Sequence, residues 1–318
     1  MLHYIINIII ILITAIILII YIIIMTDIPL QTSYLGNKYE KSNMKIIICG
    51  THNNRLECFF TKINKNNNYV SKKFNNCAII KCYKHDNFVR FNMIYQGEKY
   101  GSSNISCINS NCWNIREFNN YFNSLTSYSY NINIPDNVEI FFIRHAEGIH
   151  NRANLFQHIF TNLFDPSLTE DGVLQAERAG VFLKGYLNYT NLQINFNASH
   201  LIRTQQTIGI IMMKMNQNKN IYIVPCAHEI IYTGTGDCDD SLLQYIPIQS
   251  NTPKCSYSNM SDECKTLTKF SINEDLYKNQ KFYLNWEYYM NYYKNNKKCH
   301  ETNILEEILN NNEYYSNQ

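Results

Sequence analysis

Three short apolar runs, Val138–Ile143, Asn195–Ala198 and Ile221–Val224, are separated by two stretches of helical character, one starting near Thr169 and one over Thr204–Met215. Strands that alternate with helices close as a layered α/β domain with a largely parallel sheet. In such a sheet ligands collect beyond the carboxyl ends of the strands. The first run, Val-Glu-Ile-Phe-Phe-Ile, is a buried-strand pattern and delivers Arg144 and His145 to that end. Glu170 and Asp171 suit the positive end of the helix that follows.

A second constraint lies at the start of the chain, where Tyr4 to Met25 carry no charge. At 1.5 Å per residue this stretch reaches about 33 Å, enough to cross a hydrocarbon core as a helix. It exceeds a signal-peptide core, lacks a basic leader and shows no A-x-A-like cleavage site before Asp27, so the reading is a single N-terminal transmembrane anchor over 1–26. Only His3 and the terminal amine precede it, while Lys38, Lys41 and Lys45 follow, which favours the soluble part on the cytosolic side. The sequons at Asn104, Asn188, Asn197 and Asn259 point to a lumenal side if read as glycosylation sites, but so Asn-rich a chain produces them by chance.

Between the anchor and the α/β region, residues 27–123 are expected to form a small β-rich or α+β domain. Lys45–Cys49, Cys77–Cys82 and Phe88–Tyr95 are short apolar runs set among Asn/Lys clusters. Six of the 11 cysteines fall here, at 49, 58, 77, 82, 107 and 112. They read as buried small hydrophobes, or as partners in disulfides if the region is extracytosolic. No C-x-x-C pair supports a zinc ribbon. The Ser/Tyr/Asn-rich stretch 124–137, ending in Pro-Asp-Asn, reads as a linker. With 28 Lys and Arg against 26 Asp and Glu the chain lacks the single-sign field of a nucleic-acid binder, and nucleic acid is not an expected partner.

The chemistry sits in four blocks. Arg144-His145-Ala146-Glu147 leads to Asn151; Leu168-Thr169 leads to Gly172, Gln175 and Ala176; Ser199-His200-Leu201-Ile202-Arg203-Thr204 leads to Gln206 and Thr207; and His228-Glu229 precedes Gly236-Asp237-Cys238-Asp239. In this order the blocks R-H-x-E-x-x-x-N, L-T-x-x-G-x-x-Q-A and S-x-L-x-R-T-x-Q-T resemble the histidine phosphatase superfamily, also called phosphoglycerate mutase-like. The resemblance covers Val138 to Asp239.

It implies a three-layer α/β/α fold over 138–318 and a two-step phosphoryl transfer that uses no metal or other cofactor. His145 is then the nucleophile, forming a phosphohistidine. Arg144 and Arg203 clamp the phosphoryl oxygens with planar, permanently charged guanidinium groups. Glu229 protonates the leaving oxygen, with His228 as its alternate. Asn151 shapes the loop by bonding backbone near the nucleophile, and Glu147 supports the site or faces substrate. The partner is a phosphorylated small molecule or a phosphoprotein, with the membrane engaged through residues 4–25. The superfamily also requires a second His at the end of a late apolar strand. After Asp239 the sequence offers only His300, without such a strand, and Asn303–Asn310 has the spacing of the helix that would precede it. A C-terminally incomplete domain is therefore expected. The activity is phosphomonoester hydrolysis, or alternatively phospho-ligand binding without catalysis.

Overall fold

The computed structural model describes residues 44–64, 72–86, 88–98, 112–125, 133–151, 166–187, 192–229, 231–232, 238–239, 255–256, 259–260, 266–267, 282–295, 299 and 304–317. The proposed anchor, His300 and Gly234–Asp237 lie outside them. No described helix is long and apolar enough to cross a membrane.

Strand β1 (Lys45–Thr51) is a β-branched run buried on both faces, the pattern of a strand inside a parallel sheet. Its side chains alternate as the pleat requires. Ile46 and Ile48 enter one core and Ile47 and Cys49 the other. Helix α1 (Asn53–Ile63) follows directly, then the antiparallel hairpin β2 (Ile79–His85) and β3 (Phe88–Tyr95), and helix α2 (Ile115–Asn123). Next come β4 (Val138–Arg144), α3 (Glu170–Tyr186), β5 (Gln193–Ala198), α4 (Ile202–Lys214) and β6 (Ile221–Ile223). Two short hairpins follow, β7 (Ile231–Tyr232) with β8 (Cys238–Asp239) and β9 (Cys255–Ser256) with β10 (Asn259–Met260). Strands β11 (Thr266–Leu267) and β12 (Phe282–Asn285) precede helices α5 (Glu287–Lys294) and α6 (Ile304–Ser316).

The main sheet has eight strands in the order β11-β12-β6-β5-β1-β4-β2-β3. The neighbours from β12 to β4 run parallel, and β11, β2 and β3 add antiparallel edges. One core packs α3 and α4 against the sheet, and the other packs α1, α2 and α6 against its opposite face. This is the mostly parallel α/β arrangement expected for the later part of the chain.

The division into a domain over 27–123, a linker and a domain over 138–318 differs from what is observed. Residues 42–318 form one compact unit. β1 pairs with β4 from Lys45↔Val138 to Thr51↔Arg144, and with β5 from Lys45↔Gln193 to Gly50↔Ala198. It lies in the middle of the sheet, so the two segments share one core. Gly50 allows the close approach of α4, because a Cβ there would meet Ile208 Cγ1 at 2.7 Å. The early cysteines divide as well: Cys49, Cys77 and Cys82 are free and buried, and burial raises their thiol pKa values. Cys58 and Cys112 are disulfide-bonded. Asn197 is fully buried in β5, which removes its sequon from any glycosylation of the folded unit.

Candidate active site

Four neighbouring parallel strands end on the same side of the sheet, and each gives its next residues to one place. β4 ends at Arg144 and is followed by His145, β1 ends at Thr51 and is followed by His52, β5 leads through Ser199 into α4 with Arg203, and β6 leads to His228 and Glu229. The register that pairs Thr51 with Arg144 continues in a hydrogen bond from the His145 N–H to the Thr51 carbonyl at 2.9 Å. It sets the two histidines side by side, with ring centroids 5.0 Å apart and planes tilted by 58°.

The hydrogen bonds assign the His145 tautomer. Nδ1 lies 2.7 Å from the Ala146 carbonyl, which can only accept, so the ring proton sits on Nδ1. Nε2 is then the lone-pair nitrogen, and Arg203 Nε donates to it at 3.3 Å. Arg203 Nη2 also reaches Glu229 Oε2 at 3.3 Å, and the same oxygen lies 3.3 Å from His52 Nδ1. His52 Nε2 is 2.8 Å from Ser199 Oγ. His145, His52 and Arg203 are buried, whereas the Glu229 side chain is 25% exposed, so the carboxylate forms the solvent side of the cluster. Arg203 stands in the first turn of α4, whose N-terminus has no side-chain cap. A helix N-terminus together with a guanidinium is suited to an anion.

His52, His145 and Glu229 bring ligand atoms within 4.8 Å of one another, a set that could hold a metal ion. Arg203 hydrogen-bonds two of the three, however, and a fixed cation between the ligands opposes a dication there while favouring phosphate.

Comparison with known proteins falls on this region. Residues 140–235 match the histidine phosphatase superfamily (branch 1). Among curated proteins, Phosphoglycerate mutase 3 of Saccharomyces cerevisiae is 31% identical over 94 residues, 29% of this chain and 29% of that protein. A 2,3-bisphosphoglycerate-dependent phosphoglycerate mutase of Xanthobacter autotrophicus is 40% identical over 75 residues, 24% of this chain and 33% of that protein. The chain thus aligns with no more than a third of the length of either relative. No solved structure matches.

Within the segment that matches the histidine phosphatase superfamily, the recurring residues hold one another. Thr169 caps α3 by accepting from the Gly172 N–H at 3.0 Å, and its hydroxyl lies 2.8 Å from Glu147 Oε1. Gln175 Oε1 accepts from the Glu147 N–H at 3.0 Å, and Gln206 Oε1 from that of Leu168 at 2.9 Å. Thr207 Oγ1 accepts from the Ala146 N–H at 3.0 Å and donates to the Arg203 carbonyl at 2.7 Å, joining the two loops of the site. Asn151 Oδ1 accepts from the Gly148 N–H at 2.9 Å. Glu147 is buried against Thr169. Arg144 is buried beside His145 in sequence, and its Nη1 donates to the Phe74 carbonyl.

His145, Arg203 and Glu229 come together, and His52 joins them from outside the matched segment. A search for a second histidine confined to residues after Asp239 misses this neighbour of His145. The signal is present in the sequence: Lys45–Cys49 is an apolar strand with Gly50 near its end and a histidine at its carboxyl terminus. Ser199, which orients His52, is visible there only as one member of its block. His228 is also buried, with its ring 5.7 Å from that of His200. Burial first, then His228 and Arg203, hold the His200 pKa well below the usual imidazole range.

Proposed function

We propose that this chain hydrolyses a phosphomonoester through a phosphohistidine on His145. The observation that carries the reading is the convergence of His145, His52, Arg203 and Glu229 at the ends of four adjacent parallel strands, with His145 Nε2 unprotonated and 3.3 Å from Arg203 Nε. In the first step Nε2 attacks phosphorus while Arg203 and Arg144 neutralise the non-bridging oxygens. His52, whose ring lies beside that of His145, donates to the same oxygens. Glu229 gives its proton to the departing alkoxide, and in the second step takes a proton from the water that attacks the phosphohistidine. The guanidinium groups supply the countercharge, so the route runs without a metal.

A phosphoglycerate mutase activity, the one in the names of the two relatives, would return the phosphoryl group to a second hydroxyl instead of to water. The alternative, phospho-ligand binding without catalysis, is motivated by the want of a second imidazole, and the His52 ring beside His145 favours the catalytic reading over it. The test is brief incubation with a 32P-labelled phosphomonoester followed by a quench in alkali, where phosphohistidine survives. Wild type should retain label that is lost on mild acid treatment, and His145→Ala should retain none. Equal labelling of the two proteins overturns the reading.

A further inference from the structure

Glu229 ends a short segment without helix or strand of its own, and three consecutive residues before it are each tied to a different part of the molecule. Cys226 is joined by a disulfide to Cys299, in the segment between α5 and α6. The Ala227 carbonyl accepts from Thr51 Oγ1 at 2.9 Å, and the His228 carbonyl accepts from Arg55 Nε at 3.3 Å. All these groups are buried: Thr51, Arg55, Cys226 and Ala227 at 0%, His228 at 2% and Cys299 at 4% exposure. Cys226 has φ of +64°, a left-handed conformation that a residue with a Cβ keeps only where its surroundings hold it. Arg55 is a fully buried cation on the first turn of α1, three residues after His52. Burial of a guanidinium is costly unless its hydrogen bonds offset the lost hydration, and one of those bonds goes to the carbonyl next to Glu229.

We propose that Arg55 and the Cys226–Cys299 disulfide are positioning residues for Glu229, holding its carboxyl where it can protonate the leaving-group oxygen. The inference rests on the reading of Glu229 as proton donor. A general acid works only within hydrogen-bond reach of the atom it protonates, so small backbone displacements at 226–228 act on that step. They leave the His145–Arg203 contact in place, because that contact is built on β4 and α4. An ester whose leaving group departs readily as an anion does not need the acid, whereas an alkyl ester does.

The experiment compares kcat/KM for p-nitrophenyl phosphate and for glycerol 2-phosphate in wild type, Arg55→Met, Arg55→Lys and the double variant Cys226→Ala/Cys299→Ala. For Arg55→Met and the double variant, the alkyl ester should lose roughly 10²-fold and the nitrophenyl ester less than about threefold. Arg55→Lys, which keeps a donor, should recover most of the loss. A structural role lowers both esters by one factor, and that result overturns the proposal, as does no loss on either. If the double variant does not fold, the Arg55→Met and Arg55→Lys pair decides alone. A wild type that hydrolyses neither ester and traps no phosphohistidine overturns the reading of the site itself, and this proposal with it.

Discussion

The two imidazoles of the site are set for different tasks by different acceptors. His145 keeps its proton on Nδ1 through the Ala146 carbonyl and so presents a lone pair, whereas His52 is held between the Ser199 hydroxyl and the Glu229 carboxylate and is proposed to donate to phosphate. His52→Asn should therefore lower turnover by about 10²–10³-fold, the loss seen when one pre-organised donor is removed from a developing oxyanion. Labelling on His145 should persist in this variant; turnover equal to wild type would remove His52 from the mechanism. His200 makes a separate prediction about stability. Its folded pKa lies below the ordinary value of 6.5, chiefly through burial. Above that pH the ring is neutral in both states and contributes no slope. As pH falls below 6.5 the unfolded chain takes up a proton that the folded one refuses, so stability declines with acidification. His200→Gln should flatten the fall in Tm between about pH 7 and pH 5, which thermal melts would read as a smaller difference than in wild type. Parallel profiles for the two proteins would contradict this.

At the scale of elements, the residues between His145 and Asn151 keep their shape because α3 presses a glycine against them. A Cβ at Gly172 would meet the Glu147 carbonyl oxygen at 2.1 Å and its backbone N at 3.2 Å, and no side chain is there to swing aside. Gly172→Ala should thus cost about 1–3 kcal/mol and lower activity by moving the loop after His145. Gly185, near the end of the same helix, has nothing within 4 Å of where a Cβ would stand, and Gly185→Ala should stabilise by up to about 1 kcal/mol. Denaturant melts of the pair check both signs. Elements of this kind are legible in the sequence: Phe88–Tyr95 and Val138–Ile143 show the strand pattern locally, and Thr169 stands at the cap of the helix expected to start there. What a strand's own residues do not encode is its neighbour. Ile46, Ile47, Ile48 and Cys49 announce a strand covered on both faces, yet its partners lie about 90 and 150 residues away in sequence, at Val138 and Gln193. His52 is hidden for that reason, since its relation to His145 exists only through the pairing of β1 with β4.

At the scale of the whole molecule, chain order and sheet order disagree in an instructive way. The family resemblance calls for a late helix, then a strand, then the second His; here α6 is late, but β1 and His52, proposed for those places, are early. The two meet in space, because Lys45 Nζ at the start of β1 donates to Ser316 Oγ at 2.6 Å and approaches the Asn312 carbonyl at 3.4 Å near the end of α6. A link from α6 to β1 therefore needs only a few flexible residues, of the reach a Gly/Ser segment of about five supplies. The covalent route between the segments is then secondary to the packing that joins them. A permuted chain running 126–318, a short Gly/Ser link and 44–125 should fold with a comparable Tm and label on His145. The fragment 138–318 lacks β1, so it leaves β4 and β5 without their shared partner and should not fold. The sulfur chemistry and the flanking charges of the unit point in opposite directions: a buried Cys226–Cys299 disulfide and bonded Cys58 and Cys112 favour an oxidising compartment, whereas Lys38, Lys41 and Lys45 favour the cytosolic side. If residues 4–25 anchor the chain and the disulfide forms in such a compartment, residues 44–318 should face away from the cytosol. In intact membrane vesicles of cytosol-out orientation, protease should leave residues 44–318 uncut and thiol reagents should fail to label Cys226 and Cys299 until reductant and detergent are both added. Digestion without detergent would place the unit on the cytosolic side and leave the disulfide to be explained by a reaction within that compartment.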